Sequence, residues 1–169
     1  GRLFVLDLQT RQTQELAVAD SVIDPRFAPT GDQIAYATAD GELRLVSLAG
    51  VDRVLAAPET DTQVWGRAEF IAAEEMDRFA GFWWAPDGKS LLAQRYDDAA
   101  VPTWFIADPA NPATPANPQR YPAAGTTNSD VTLWHLDLDG DRTEIRWDRS
   151  SIEYLARDKW SADADPIIQ

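Results

Sequence analysis

The 169-residue sequence contains no cysteine, one histidine and one methionine. Without Cys there is no disulfide framework, no thiolate metal site and no thiol nucleophile, and cysteine usage says nothing about compartment. A Ser-His-Asp arrangement would have to run through His135. That residue stands inside a stretch, 131–138, that reads as a strand, and no G-x-S-x-G elbow accompanies it. Cations are scarce as well: 15 Lys and Arg face 28 Asp and Glu, a net charge of −13. Phosphate binding needs clustered basic residues, so this balance argues against a nucleic-acid partner. No apolar run reaches the roughly 20 residues of a membrane span, and no secretory leader is recognisable. The first residues already read as a strand, and Pro166-Ile167-Ile168-Gln169 reads as a strand cut short. The expectation is therefore a piece of a larger protein, with its compartment left open.

What is present is the composition of a folded protein: 44% hydrophobic residues, seven Trp and eleven Pro. That is too apolar for a disordered chain. Short runs of branched and aromatic residues recur at 2–8, 13–18, 34–37, 43–48, 53–57, 90–95, 103–106, 131–138 and 143–147. Asp40-Gly41 and Asp139-Gly140 separate pairs of them as tight hairpin signals. Many short strands with such turns predict an all-β chain. One segment departs from this. RAEFIAAEEMDRF has no Pro, Gly or β-branched run and is rich in helix formers, which predicts an inserted helix over about 67–80. Glu74 and Arg78 are spaced as an i,i+4 pair, and Gly81 reads as the stop.

Phe27-Ala28-Pro29-Thr30-Gly31 recurs as Trp84-Ala85-Pro86-Asp87-Gly88, and in eroded form as Trp160-Ser161-Ala162-Asp163-Ala164. In each copy an aromatic residue enters a turn and a new strand leaves it. The intervals exceed a propeller blade of roughly 40–50 residues, and the first excess is about the length of the inserted helix. Pro109, Pro112, Pro115 and Pro118 fall at three-residue spacing, the polyproline II period. They read as a stiff surface loop, or as a ligand for an SH3- or WW-type groove.

Two candidate chemistries fail on their own pattern. Asp137, Asp139 and Asp141 begin like a calcium loop, but the glycine is misplaced and no Glu stands at the twelfth position. A hairpin turn accounts for them better. Glu69, Glu74, Glu75 and Asp77 crowd the helix. Neighbours on a helix point about 100° apart, so Glu74 and Glu75 cannot flank a sugar ring as a glycosidase pair must. They can converge on a small cation such as an α-ammonium, which offers three donors. Charge patterning alone favours a solvated helix face over such a site.

The run from Ala68 through Glu74-Glu75-Met76-Asp77-Arg78-Phe79 to Trp83-Trp84-Ala85-Pro86-Asp87-Gly88 resembles the glutamate-helix segment of the dipeptidyl peptidase IV family. Val101-Pro102, then Arg120-Tyr121-Pro122-Ala123-Ala124-Gly125 with Asn128, and Tyr154-Leu155-Ala156-Arg157 leading to Trp160 extend the match over nearly the whole chain. The resemblance implies the N-terminal β-propeller of a serine exopeptidase that releases Xaa-Pro or Xaa-Ala dipeptides from peptide N-termini. It implies that Glu74 and Glu75 bind the substrate's free amino group. It also implies that the catalytic Ser, Asp and His lie in an α/β-hydrolase domain outside these residues, so that the chain alone is not catalytic. The family's substrate-contacting arginine has no match here. A periplasmic or secreted setting is compatible with the resemblance.

The resulting expectation is one partial β-propeller over 1–169, about three blades and incomplete at both ends, with one short inserted helix. Its binding residues are Glu74 and Glu75. Catalytic residues, metal ligands and cofactors are none. Its partners are peptide N-termini, the hydrolase domain, and further copies of itself through exposed edge strands. The alternative is a non-enzymatic propeller of the WD40 or TolB type acting as a protein-binding scaffold.

Overall fold

The computed structural model describes residues 1–161 and 165–169. The chain runs β1 (Leu3–Leu6), β2 (Thr13–Leu16), β3 (Ile23–Phe27), β4 (Gln33–Ala37), β5 (Leu43–Ser47), β6 (Asp52–Ala56), β7 (Gln63–Trp65), α1 (Phe70–Glu75), β8 (Phe82–Trp84), β9 (Ser90–Asp97), β10 (Thr103–Ile106), β11 (Asn117–Arg120), β12 (Asp130–Asp137), β13 (Arg142–Ile145), β14 (Asp158–Trp160) and β15 (Pro166–Ile168). Every described pairing of named strands is antiparallel. Two sheets have the size of a blade. One is β3-β4-β5-β6; the other is β13-β12-β9, continued by β7 and β8 along β9. The two-stranded sheets β1-β2 and β14-β15 complete a partial propeller.

Period-two alternation builds the packing between sheets. In β4, Ile34 and Tyr36 face Leu16 and Val46, with Leu3 and Val5 of β1 against them. Ala35, between them, faces the other way, into a cluster with Leu43, Leu45, Trp65, Phe82, Leu91 and Ala93. In β9, Leu91 and Ala93 join that cluster while Leu92 and Tyr96 turn to Val131, Leu133 and Leu155, with Trp160 and Ile168 packed alongside. Each central sheet is thus apolar on both faces, and three successive layers of side chains join four sheets.

The repeat is structural. In each of the two full copies the alanine N–H donates to the carbonyl five residues on, Ala28 to Gln33 and Ala85 to Ser90, both at 2.9 Å. The glycine N–H closes the turn on the alanine carbonyl, Gly31 to Ala28 and Gly88 to Ala85, both at 2.9 Å. The eroded third copy extends into residues outside those described. Both Asp-Gly hairpins form, joining β4 to β5 and β12 to β13.

The proline-spaced segment differs from its polyproline reading. Asn111 N–H donates to Asp108 O and Thr114 N–H to Asn111 O, two consecutive turns that double the chain back. Pro118 lies in β11 opposite Phe105. A two-stranded hairpin has only edge strands, where a missing N–H is tolerated, so the three-residue spacing produces no extended helix.

Candidate functional site

The inserted segment breaks the first strand position of the second blade. β7 pairs with the far half of β9, Gln63 to Trp65 opposite Asp97 to Arg95, and β8 with the near half, Phe82 to Trp84 opposite Ala93 to Leu91. Gln94 sits at the gap. Its carbonyl accepts from Gly66 N–H at 2.9 Å and its N–H donates to Gly81 O at 2.8 Å. Arg67 and Ala80 form an isolated β-bridge. The insertion therefore leaves and re-enters the sheet through a narrow neck.

This neck shortens the helix. The expected span of about 67–80 contracts to Phe70–Glu75, because the flanks are held as extended chain. Glu69 is the N-cap, its carboxylate accepting from Ala72 N–H at 3.0 Å. Met76 is the C-cap, and Asp77 follows in the left-handed region at φ 51°. The stop thus lies before Arg78, and Gly81 serves the neck rather than the helix end. A Cβ on Gly81 would lie 2.2 Å from the Arg67 nitrogen.

Because the helix ends at Met76, the expected Glu74–Arg78 pair does not form. Arg78 turns inward and is 7% exposed. Its Nη1 donates to Ala80 O at 2.8 Å, and its Nη2 to Leu155 O at 2.8 Å and Glu69 Oε2 at 3.4 Å. Glu69 is also buried, and its Oε2 accepts from Gln94 Nε2 at 2.7 Å. Gln94 Nε2 reaches Arg67 O as well, at 3.1 Å. Asp158 of β14 completes the buried set. Burial pushes its carboxyl up to about 7, with Arg78 opposing the shift. Burial lowers the Arg78 guanidinium from its ordinary value, while Glu69 and Asp158 counteract it.

Glu74 and Glu75 occupy the last turn of α1 and are exposed. Among the described residues neither carboxylate engages a hydrogen-bond donor or a cation, so both remain available to a ligand. Glu69, one of the acidic helix residues in the sequence, has a different fate: its oxygens are used by the protein. Asp77 is exposed beyond the helix end.

The segment 120–128 flanks this insertion. Tyr121 packs edge-on against Phe70 of α1 at 5.2 Å between centroids, and against Trp104 at 5.7 Å. Arg120 donates to Val101 O at 2.7 Å, fixing the base of the β10-β11 hairpin. Asn128 donates to Glu153 at 2.7 Å and to the Tyr154 hydroxyl at 3.1 Å. A cleft is lined by Glu69, Ile71, Asn128, Ser129, Glu153 and Tyr154, so the helix base and the Asn128 segment share one surface.

The discarded candidates fall elsewhere. His135 lies on β12, opposite Leu92 of β9, with its ring edge-on to Trp160 at 6.0 Å. Asp139 and Gly140 form the β12-β13 turn, Gly140 N–H donating to Asp137 O at 3.0 Å. The buried roles of Glu69, Arg78, Gln94 and Asp158 escape sequence reasoning. No local signal marks them: Glu is not among the residues favoured at an N-cap.

Comparison with known proteins identifies the family and the fold. The model for the dipeptidyl peptidase IV (DPP IV) N-terminal region matches residues 1–169. Human dipeptidyl peptidase 8 is 29% identical over 138 residues, 68% of this chain and 15% of that protein. A probable dipeptidyl peptidase 4 of Aspergillus fumigatus is 30% identical over 163 residues, 90% of this chain and 21% of that protein. The crystal structure of Porphyromonas gingivalis dipeptidyl peptidase 4 superposes with a TM-score of 0.82 at 20% identity, over 98% of this chain and 24% of that one. The chain thus spans about a fifth or less of the curated relatives quoted.

Proposed function

The chain belongs to the dipeptidyl peptidase IV N-terminal region family, and from that premise we propose that it is the substrate-recognition part of a serine exopeptidase that removes Xaa-Pro or Xaa-Ala dipeptides from peptide N-termini. Glu74 and Glu75 hold the substrate's α-ammonium. The observation that carries this reading is a pair of adjacent, exposed carboxylates without a partner among the described residues, on a helix whose other acid, Glu69, is buried.

The chemistry is specific. A cationic amine leaving water needs anions at hydrogen-bond range, and two carboxylates can accept from its three donors. Fixing the amine sets the distance to the scissile bond, so cleavage falls after the second residue. The nucleophile, its base and the orienting acid belong to the hydrolase domain that this chain partners, and these 169 residues alone turn over no substrate. The family match over the whole chain supports this reading over a WD40- or TolB-like scaffold.

The experiment uses the enzyme in which this chain is joined to its hydrolase domain. Hydrolysis of Gly-Pro-anilide is measured with and without N-acetylation of the substrate. Turnover of the free amine only is expected. Glu74→Gln and Glu75→Gln each remove a charge-assisted hydrogen bond, which lowers kcat/KM about 10- to 100-fold. Equal turnover of acetylated and free substrate, or unchanged kinetics in both variants, overturns the reading.

A further inference from the structure

We propose that Glu69, Arg78 and Gln94 are positioning residues for the Glu74–Glu75 pair: they clamp the two ends of the helical insertion to each other and to the sheet, and so set where the two carboxylates stand. This rests on the reading of Glu74 and Glu75 as amine ligands.

The helix has six residues, well below the length at which a helix is stable by itself. Its only buried residue is Ala72, which contributes little apolar area. Its placement therefore rests chiefly on its ends, beside the contact of Phe70 with Tyr121. At the N-terminal end Glu69 divides its carboxylate, Oε1 to the Ala72 N–H and Oε2 to Gln94 Nε2 and Arg78 Nη2. At the C-terminal end Arg78 N–H donates back to Ala72 O at 3.0 Å. The Arg78 guanidinium meanwhile spans Ala80 O, Leu155 O and Glu69. Gln94 belongs to β9, the strand bridging the gap between β7 and β8, and Leu155 lies in the next packing layer. One buried ion pair thus joins the start of the insertion to its end, and two further bonds join it to the scaffold.

A buried ion pair of this kind is a weak source of net stability. A planar fork with fixed donor directions is well suited to fixing geometry. Glu74 and Glu75 lie within two helical turns of Glu69 and within four residues of Arg78, so loosening either anchor moves them relative to a substrate held elsewhere. An amine meeting carboxylates moved off hydrogen-bond geometry is held more weakly.

The test is steady-state kinetics of the full-length enzyme carrying Arg78→Met, Arg78→Lys or Glu69→Gln, with Glu74→Gln measured beside them. Arg78→Met is expected to raise KM for free-amine substrates about tenfold with kcat nearly unchanged, and to narrow the preference for free over N-acetylated substrate. Arg78→Lys, which keeps the charge but cannot span three acceptors, falls between Arg78→Met and the parent. Glu69→Gln keeps an oxygen for the cap and loses the charge facing Arg78; it raises KM in the same direction and remains informative if Arg78→Met fails to fold. In parallel, amide exchange at Ala72, Ala73 and Met76 is expected to speed up in each variant while residues 91–96 stay protected. A fall in kcat alone, with KM and the free-amine preference intact, shows mere fold support and overturns the inference. If Glu74→Gln raises KM and neither Arg78→Met nor Glu69→Gln does, the inference fails while the amine reading stands. If Glu74→Gln changes nothing, the amine reading itself has failed, and the inference with it.

Discussion

Asp158 carries a carboxylate whose two oxygens are buried and have no hydrogen-bond partner among the described residues. Burial raises its carboxyl from about 3.8 to about 7, against the pull of Arg78. The folded chain therefore holds a proton that the unfolded chain has already released. The stability contributed by that proton is complete below the unfolded value and is lost as the pH rises through about 7. Asp158→Asn keeps the shape and cannot ionise. It is expected to raise the Tm near pH 8 and to leave it almost unchanged near pH 4, measured by thermal unfolding at both values. An equal shift at the two pH values would show that the carboxyl does not titrate between them. The same cluster shows what a sequence conceals at this scale. Glu74 and Glu75 stand out in the sequence through the motif around them, and the fold leaves both exposed. Glu69 and Arg78 are visible as charges, but their partners come from β9 and from Leu155, and no local spacing announces them.

At the scale of elements, the insertion and its neck divide what is legible from what is not. A helix-forming run inside a β chain is plain from composition, and α1 falls inside it. Its bounds are set by the sheet instead: Gly66, Arg67, Ala80 and Gly81 are drawn into backbone pairing around Gln94, which propensity cannot report. For the same reason β7 and β8, three residues each, carry too little pattern to be seen. β3 is masked by the Pro in IDPRF, and β11 by Pro118. The hairpins at Asp40-Gly41 and Asp139-Gly140 are legible because their chemistry is local. The neck makes a sharp prediction. At Gly81 an added Cβ meets backbone atoms at 2.2 and 2.4 Å, and backbone cannot step aside as a flexible side chain can. Gly81→Ala should cost at least about 1–3 kcal/mol. At Gly31 an added Cβ meets nothing within 4 Å, and only the φ of 76° opposes it, which costs about 1–2 kcal/mol. Urea unfolding of the two variants checks the order; Gly31→Ala proving the more damaging would mean that the neck is not closely packed.

For the molecule as a whole, the same alternation that joins four sheets leaves the stack apolar at its two ends. In β1, Leu3 and Val5 face inward to the Leu16 cluster, while Phe4 and Leu6 between them are 48% and 53% exposed. At the other end Ile152, Tyr154 and Ile167 are exposed beside the Leu155 cluster. Among the described residues each end sheet has two strands and so offers unpaired backbone as well as apolar surface, a combination that favours pairing with another chain. The net charge of −13 opposes that pairing by repulsion between copies, and salt screens the repulsion beyond a Debye length of about 8 Å at physiological ionic strength. The 169-residue chain alone is therefore expected to self-associate, more at high salt than at low. Phe4→Gln with Leu6→Gln should reduce the association without disturbing the inward face of β1, because both side chains point away from the core. Sedimentation velocity over a range of salt and protein concentration reads all three outcomes. A monomer throughout, or association that weakens as salt rises, would show that the apolar ends do not drive contacts between copies.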